Sequence, residues 1–199
     1  MCSRYESADE NEMARVYKVS VKQLKDEEFK PLIYPGYQAP IILGPDGNLA
    51  AESRFWGFIT RIPGKKDPSK MLEKIMQNAV SETVDDKRTF AGAWKKNQRC
   101  IIPVKAFLEP KNKIFVPIHD PDQPLLSIAG IYSEVTYKGE MREAFTMLTC
   151  EPNKFIEPFH DRMPVILKDD DVLEWLSSET PADQAKKLCL PYKGKLAFA

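Results

Sequence analysis

Residues 99–110 read RCIIPVKAFLEP, apolar for most of their length and turning polar at Glu109. With the KKNQ bridge before it, this run reads as a buried strand ending near Glu109, since a short apolar stretch bounded by polar and turn residues suits a strand. Three further strand candidates follow: KIFVPIHD at 113–120, LLSIAGIYSEVTY at 125–137 and EAFTMLTC at 143–150. His119 closes the first of them, just before the proline-rich turn DPDQP, and is expected at the surface. Upstream, apolar segments flank GPDGN at 44–48, a Pro-Asp-Gly signal of the hairpin type. Helical signals are fewer. Asp67 as N-cap, Pro68 at the first helical position, and apolar Met71, Leu72, Ile75, Met76 and Ala79 predict a helix through SKMLEKIMQNAV. DDDVLEWLSS at 169–178 predicts another, with aspartates in its first turn. The mixed run from Arg15 to Phe29 reads as a surface strand or short helix. The expectation is a strand-rich α+β fold with few helices, a single compact domain over 1–199 with no dividing linker.

Composition narrows the function classes. Lys plus Arg number 29 and Asp plus Glu number 29, a balance that argues against a nonspecific nucleic-acid coat while leaving room for a local basic groove. No apolar run approaches the length of a membrane span and the N-terminus lacks a signal-peptide pattern, so the expected location is cytoplasmic, nucleoid-associated if the source is bacterial. Cys2, Cys100, Cys150 and Cys189 are widely spaced with no CxxC pair, which points away from a disulfide framework. Cys100 and Cys150 sit in apolar runs and read as small core residues. With His119 and His160 as the only histidines, the spacing favours no zinc site, and no metal or cofactor is called for.

Cys2, directly behind the initiator methionine in MCSRYES, reads on position alone as an incidental residue of a frayed end. If Met1 is removed, however, the chain begins with a free α-amine and a thiol on adjacent carbons. Both groups keep a reactive fraction near neutral pH. Such a 1,2-aminothiol condenses with an aldehyde: the amine forms an imine, and the thiolate closes onto it as a thiazolidine. Imine formation needs a positioned acid or base to expel the carbinolamine hydroxyl. Glu109 is a candidate, because partial burial at a strand end raises a carboxyl pKa; taken alone it is equally a solvated surface glutamate. His160, in EPFHDRMPVIL, reads alone as a histidine satisfied by its turn. Asn78, near the end of the expected first helix, reads as a cap or a solvated residue.

In order and approximate spacing, MCSRY at the N-terminus, QAP at 38–40, FWGFI at 55–59, QNAVSET at 77–83, RCIIPVKAFLEP at 99–110, AGIYSEV at 129–135 and HDRMPVIL at 160–167 resemble the motifs of the SRAP family, the SOS response-associated peptidase proteins. The likeness covers positions 2 to about 176. Members of that family shield abasic sites in single-stranded DNA. The resemblance implies a β-rich α+β domain with a single-stranded DNA groove; no cofactor is expected, and a monomer is the expected state. It implies that Cys2 forms a thiazolidine with the ring-opened aldehyde of an abasic deoxyribose. It further implies that Asn78 orients the amine or sugar, Glu109 acts as acid/base, and His160 assists ring opening or reversal. Arg4 would bind a backbone phosphate, with Arg54, Arg61 and Arg162 lining the groove. Trp56 would stack against a base or pack beneath the site. The chain departs from the family at Ser3 for glycine, Tyr37 for asparagine, Val80 for arginine and Pro110 for tryptophan. Loss of the guanidinium at Val80 removes a phosphate contact or shifts it to another basic residue.

Two other readings use the same residues. Cys2, His160 and Asn78 formally supply the nucleophile, base and orienting amide of a cysteine peptidase or thiol hydrolase, with self-release of Met1 as a limited form. A noncatalytic DNA- or protein-binding relative is the other, with Val80 as its strongest argument.

Overall fold

The computed structural model describes residues 2–20, 30–44, 47–111 and 113–199. Its spine is β8 (Arg99–Lys111), whose β-branched and apolar residues are buried almost continuously up to Glu109, the pattern of a strand covered on both faces. Successive parts of β8 meet different partners. Its first half pairs antiparallel with β10 (Leu126–Tyr137), from Ile131↔Arg99 to Leu126↔Val104. Its middle pairs with β1 (Tyr5–Ser7), and its end pairs with β9 (Ile114–His119). β10 returns as β11 (Glu140–Cys150) through Lys138 and Gly139, at φ 52° and 83°, the two-residue turn that suits twisted strands.

β11 runs parallel to β4 (Ala50–Trp56), β4 pairs with β3 (Gln38–Leu43), and Ile42 of β3 pairs with Ile101 of β8. The strands β8, β10, β11, β4 and β3 therefore close on themselves as a ring, which leaves none of those five with an open edge. Ile41, Phe145 and Met147 on one face of these strands and Ile101 and Ile131 on the other are fully buried, each contributing about 1.5–3 kcal/mol by burial. β2 (Leu32–Ile33) extends the sheet beyond β1, and β7 (Asn78–Val80) adds to β11 in parallel. β12 (Met163–Pro164), β13 (Ile166–Leu167) and β14 (Ala197–Phe198) are two-residue additions to β11, β10 and β9. The α+β expectation and the β8 to β11 strand series hold.

The expected helix from Asp67 is a strand instead. β5 (Phe58–Pro63) and β6 (Met71–Met76) form an antiparallel hairpin from Phe58↔Met76 to Pro63↔Met71. β6 supplies the hydrogen-bond partner that β5 would otherwise lack, and this tertiary pairing overrides the helical spacing of its apolar residues. Met71 and Leu72, neighbours on opposite faces of β6, are both more than half exposed, as the far end of a two-stranded ribbon permits. Asp67 is real punctuation of another kind: its Oδ1 accepts from the Ser69 backbone N–H at 3.1 Å, an Asx turn rather than a helix cap. Gly57 (φ 133°) breaks β4 from β5, where a Cβ would lie 2.2 Å from Ile75 Cγ2.

Among the described residues there are four α-helices. α1 (Glu10–Tyr17) carries a capping box in which Asp9 and Glu12 satisfy each other's backbone N–H groups. It takes up the first part of the mixed run, of which 21–29 lie outside the described residues. α2 (Ala91–Lys95) and α4 (Ala182–Lys187) are short. α3 (Asp169–Leu176) is the helix expected at 169–178, and Trp175 Nε1–H ties it to the Cys100 carbonyl at 3.0 Å. The β3–β4 hairpin forms as expected, with Pro45 and Asp46 of its turn outside the described residues. His119 ends β9 only partly exposed, its Nδ1 buried, rather than free at the surface. No helix among the described residues is long and apolar enough to cross a membrane.

Candidate functional site

Two strands bring the chain's beginning to Glu109. β1 pairs with β8, and Leu108 N–H donates to the Arg4 carbonyl at 3.1 Å, which draws residues 2–4 alongside the last turns of β8. From the other side, β7 delivers Asn78, whose Nδ2 donates to the Cys2 carbonyl at 2.8 Å. Trp56 fixes β7 in turn: its Nε1–H donates to the Gln77 carbonyl at 2.9 Å, and Met147 N–H donates to the same oxygen at 3.1 Å. The Trp56 and Tyr5 rings meet edge-on at 5.0 Å and form an apolar floor.

The cluster is dry, and its titration follows from that. Glu109 is only 2% exposed, with Oε1 buried and unpartnered among the described residues. Burial pushes its carboxyl up to about 7, with Asp161 adding to the rise and the positive amino terminus opposing it. Cys2 is fully buried, and its Sγ donates to the Arg4 carbonyl at 3.3 Å. Burial first, and the Glu109 charge second, push its thiol up to about 12, so it is protonated at neutral pH. Cys2 is thus sealed in the chain that still carries Met1.

His160 follows the turn that closes on Ile156, where its own N–H donates to the Ile156 carbonyl at 3.0 Å. Burial, then the positive amino terminus, hold its imidazole below the usual histidine range, while Asp161 works the other way. Nδ1 lies 2.7 Å from Asp161 Oδ1 and 3.0 Å from the Arg162 backbone nitrogen. The atom serves one of these at a time: protonated, it donates to the carboxylate; unprotonated, it accepts from the Arg162 N–H. Asn78 touches Cys2 directly, and the charge of the amino terminus bears on Cys2, Glu109 and His160 alike.

The basic residues expected to line a groove each have a partner within the fold. Arg54 is 8% exposed, and its guanidinium is held by Glu52 at 2.6 Å and lies over the Tyr132 ring. Burial of a cation requires such a partner. Trp56 is fully buried, so of its two expected roles only packing beneath the site stands. Arg162 is spent on Glu82 with both terminal nitrogens, at 3.0 and 2.6 Å, and on the Thr149 carbonyl at 2.7 Å. Arg61 is 65% exposed on the β5–β6 hairpin beside Glu73. Arg4 lies over Phe115 and Tyr34, 3.6 and 5.1 Å from the ring centroids. Sequence reasoning missed Asp161, which HDRMP put in plain view beside the histidine, and the Phe115 and Tyr34 platform, which only strand pairing reveals. Among the described residues no cluster of three or more His, Cys, Asp or Glu could hold a metal ion.

The chain is 34% identical over 181 residues to the abasic site processing protein YobE of Bacillus subtilis, spanning 85% of this chain and 79% of that protein. It is 30% identical over 162 residues to the abasic site processing protein HMCES of Gallus gallus, spanning 68% of this chain and 48% of that protein. A crystal structure of a Bordetella bronchiseptica protein superposes with a TM-score of 0.78 at 29% identity, covering 100% of this chain and 99% of that one. The family model described as SOS response associated peptidase (SRAP) matches residues 1–199, and the chain belongs to that family.

Proposed function

We propose that the chain captures abasic sites in single-stranded DNA through a thiazolidine formed by Cys2 once Met1 has been removed. The observation that carries this reading is the buried contact of Asn78 with the Cys2 carbonyl at 2.8 Å, beside a Glu109 carboxyl poised near neutrality. The names of the relatives, abasic site processing proteins, support the substrate.

Removal of Met1 turns the Cys2 amide nitrogen into an amine on the carbon next to the one that bears the thiol. Its positive charge favours the thiolate, which burial otherwise suppresses. The neutral amine adds to the aldehyde carbon of the opened deoxyribose and gives a carbinolamine. Glu109, protonated below about pH 7, gives its proton to the departing hydroxyl; one water leaves and an iminium remains. Sγ, its proton passed to the Glu109 carboxylate and so restoring the acid, attacks the same carbon and closes a five-membered ring through N, Cα, Cβ, Sγ and the sugar carbon. The iminium nitrogen becomes a neutral secondary amine, so the net change is loss of one water. Asn78 Nδ2 fixes the Cys2 carbonyl, and its Oδ1, buried without a partner among the described residues, is the acceptor offered to the amine or a sugar hydroxyl. His160, held neutral, takes up a proton in ring opening or gives one back in reversal.

DNA contacts in this reading centre on Arg4, whose stacking on Phe115 and Tyr34 leaves the guanidinium edge for a phosphate. Arg162 compensates for Val80: Val80 pairs with Thr149, whose carbonyl accepts from Arg162, so the guanidinium stands beside the position of the family arginine. A phosphate must displace Glu82 to reach it. The protein works as a monomer in the compartment that holds DNA. In the chain that still carries Met1, turnover of peptides in trans is disfavoured, because a sealed thiol with a pKa of about 12 is a poor nucleophile for an arriving peptide. Self-release of Met1 is a separate activity and compatible with capture.

The test is a denaturing gel of abasic single-stranded oligonucleotide incubated with the purified protein. An adduct that survives denaturation and disappears in Cys2→Ala supports the reading; equal adduct from Cys2→Ala contradicts it.

A further inference from the structure

The segment after α3 shares no motif with the site, yet it grips the turn that presents His160 at two points. At the turn's start, Asn153 Nδ2 donates to the Tyr192 carbonyl at 2.9 Å. Tyr192 is anchored in turn, its hydroxyl donating to Asp120 Oδ2 at 2.7 Å. At the turn's end, Phe198 meets Phe155 at 5.0 Å and Phe159 at 5.3 Å between ring centroids, and those two meet each other at 6.1 Å. Lys111 Nζ caps the rings, 3.9 Å from the Phe198 centroid and 5.6 Å from that of Phe159. Phe159 is the residue directly before His160.

Register explains why these rings stand next to the chemistry. Phe198 pairs with Ile118, Ile118 pairs with Phe107, and Glu109 pairs with Val116, so Phe198, Glu109 and Lys111 project from one face of the β8–β9–β14 sheet. The three-ring contact therefore joins the Glu109 strand to the His160 turn, two parts of the site that no backbone ladder connects directly.

From this geometry we infer that Phe198 is a positioning residue for capture: its ring locks the 153–160 turn against the β8–β9 sheet and so fixes His160 relative to Glu109 and Cys2. Each aromatic contact is modest, but a turn free to shift by an ångström misplaces a proton-transferring group. The inference rests on the proposed capture reaction for its effect on rate and on the fold alone for its effect on His160. Among the charges that bear on the imidazole are Asp161, 2.7 Å from Nδ1, and the positive amino terminus.

The experiment compares the full chain with Phe198→Ala, Phe198→Leu and Phe198→Tyr in two readouts: the rate of adduct formation with abasic oligonucleotide across pH, and the His160 ring titration followed by NMR. Phe198→Ala and Phe198→Leu are expected to slow capture by about 10- to 100-fold, to leave affinity for undamaged single strands unchanged, and to move the His160 titration toward that of a solvated histidine. Phe198→Tyr, which keeps the ring, is expected to restore both. Where Phe198→Ala fails to fold, Phe198→Leu keeps most of the apolar volume and carries the test. Capture at the wild-type rate with an unchanged His160 titration overturns the inference. Absence of any wild-type adduct overturns the capture reading instead, and the titration then decides the role of Phe198 by itself.

Discussion

Replacing Glu109 with Gln should make the protein more stable and less active, with a pH signature that isolates one proton. The Glu109 carboxyl is held from its ordinary value of 4.5 up to about 7, chiefly by burial. An unfolded chain releases this proton near its ordinary value, whereas the folded chain keeps it until about 7. The folded state therefore carries no penalty from this group below pH 4.5. Its stability falls as pH rises from there, and the full cost is in place above pH 7. At about 1.4 kcal/mol per pH unit, the interval corresponds to about 3 kcal/mol. Glu109→Gln keeps the shape and removes the titration, so its stability should match wild type near pH 4 and exceed it by about 2–3 kcal/mol at pH 8. Urea unfolding at several pH values reads this directly, as a midpoint raised by about 1–2 M at pH 8 only. The same variant should form adduct about 100- to 10,000-fold more slowly, because the acid that expels the carbinolamine hydroxyl is gone. Stability curves that run parallel at all pH values would refute the buried-acid argument; an unchanged capture rate would refute the role.

The other substitutions separate reaction from scaffold. Asn78→Ala removes the 2.8 Å hydrogen bond to the Cys2 carbonyl and should cost about 1–3 kcal/mol in stability while slowing capture by at least tenfold, measured by urea unfolding and by the gel assay. Trp56→Phe removes the bond to Gln77 and should lower stability by about 1–3 kcal/mol. Affinity for undamaged single strands should stay unchanged, since the ring is fully buried; a marked loss there would restore a base-stacking role.

Much of the fold was legible because β8, β9, β10 and β11 are continuous runs of strand-forming residues bounded by clear turns. Closure of the ring was not, since it depends on Ile42 meeting Ile101 and on β4 lying parallel to β11, pairings without a local signal. The Asp67-Pro68 signal misled because an aspartate before a proline serves an Asx turn as well as a helix start, and the partner that decided the matter, β5, lies elsewhere in the chain. The Asp9–Glu12 capping box, by contrast, stood in the sequence and was passed over. For the candidate site, the family resemblance pointed to Cys2, Asn78, Glu109 and His160, and the structure adds the Asn78 contact with Cys2 and the burial of Glu109. What sequence does not encode is which neighbour a charge is spent on: Arg54 on Glu52 and Arg162 on Glu82 are facts of side-chain packing. The same limit hid the sealing of Cys2 and the clasp of Phe198.

Intact-mass spectrometry before and after exposure to abasic single-stranded DNA tests the central claim most directly, because it reports the terminus and the adduct together. The account predicts a chain beginning at Cys2 that gains the mass of the oligonucleotide less one water, with no gain for Cys2→Ala. A chain that retains Met1 and still forms the adduct, or one that begins at Cys2 and forms none, would contradict it.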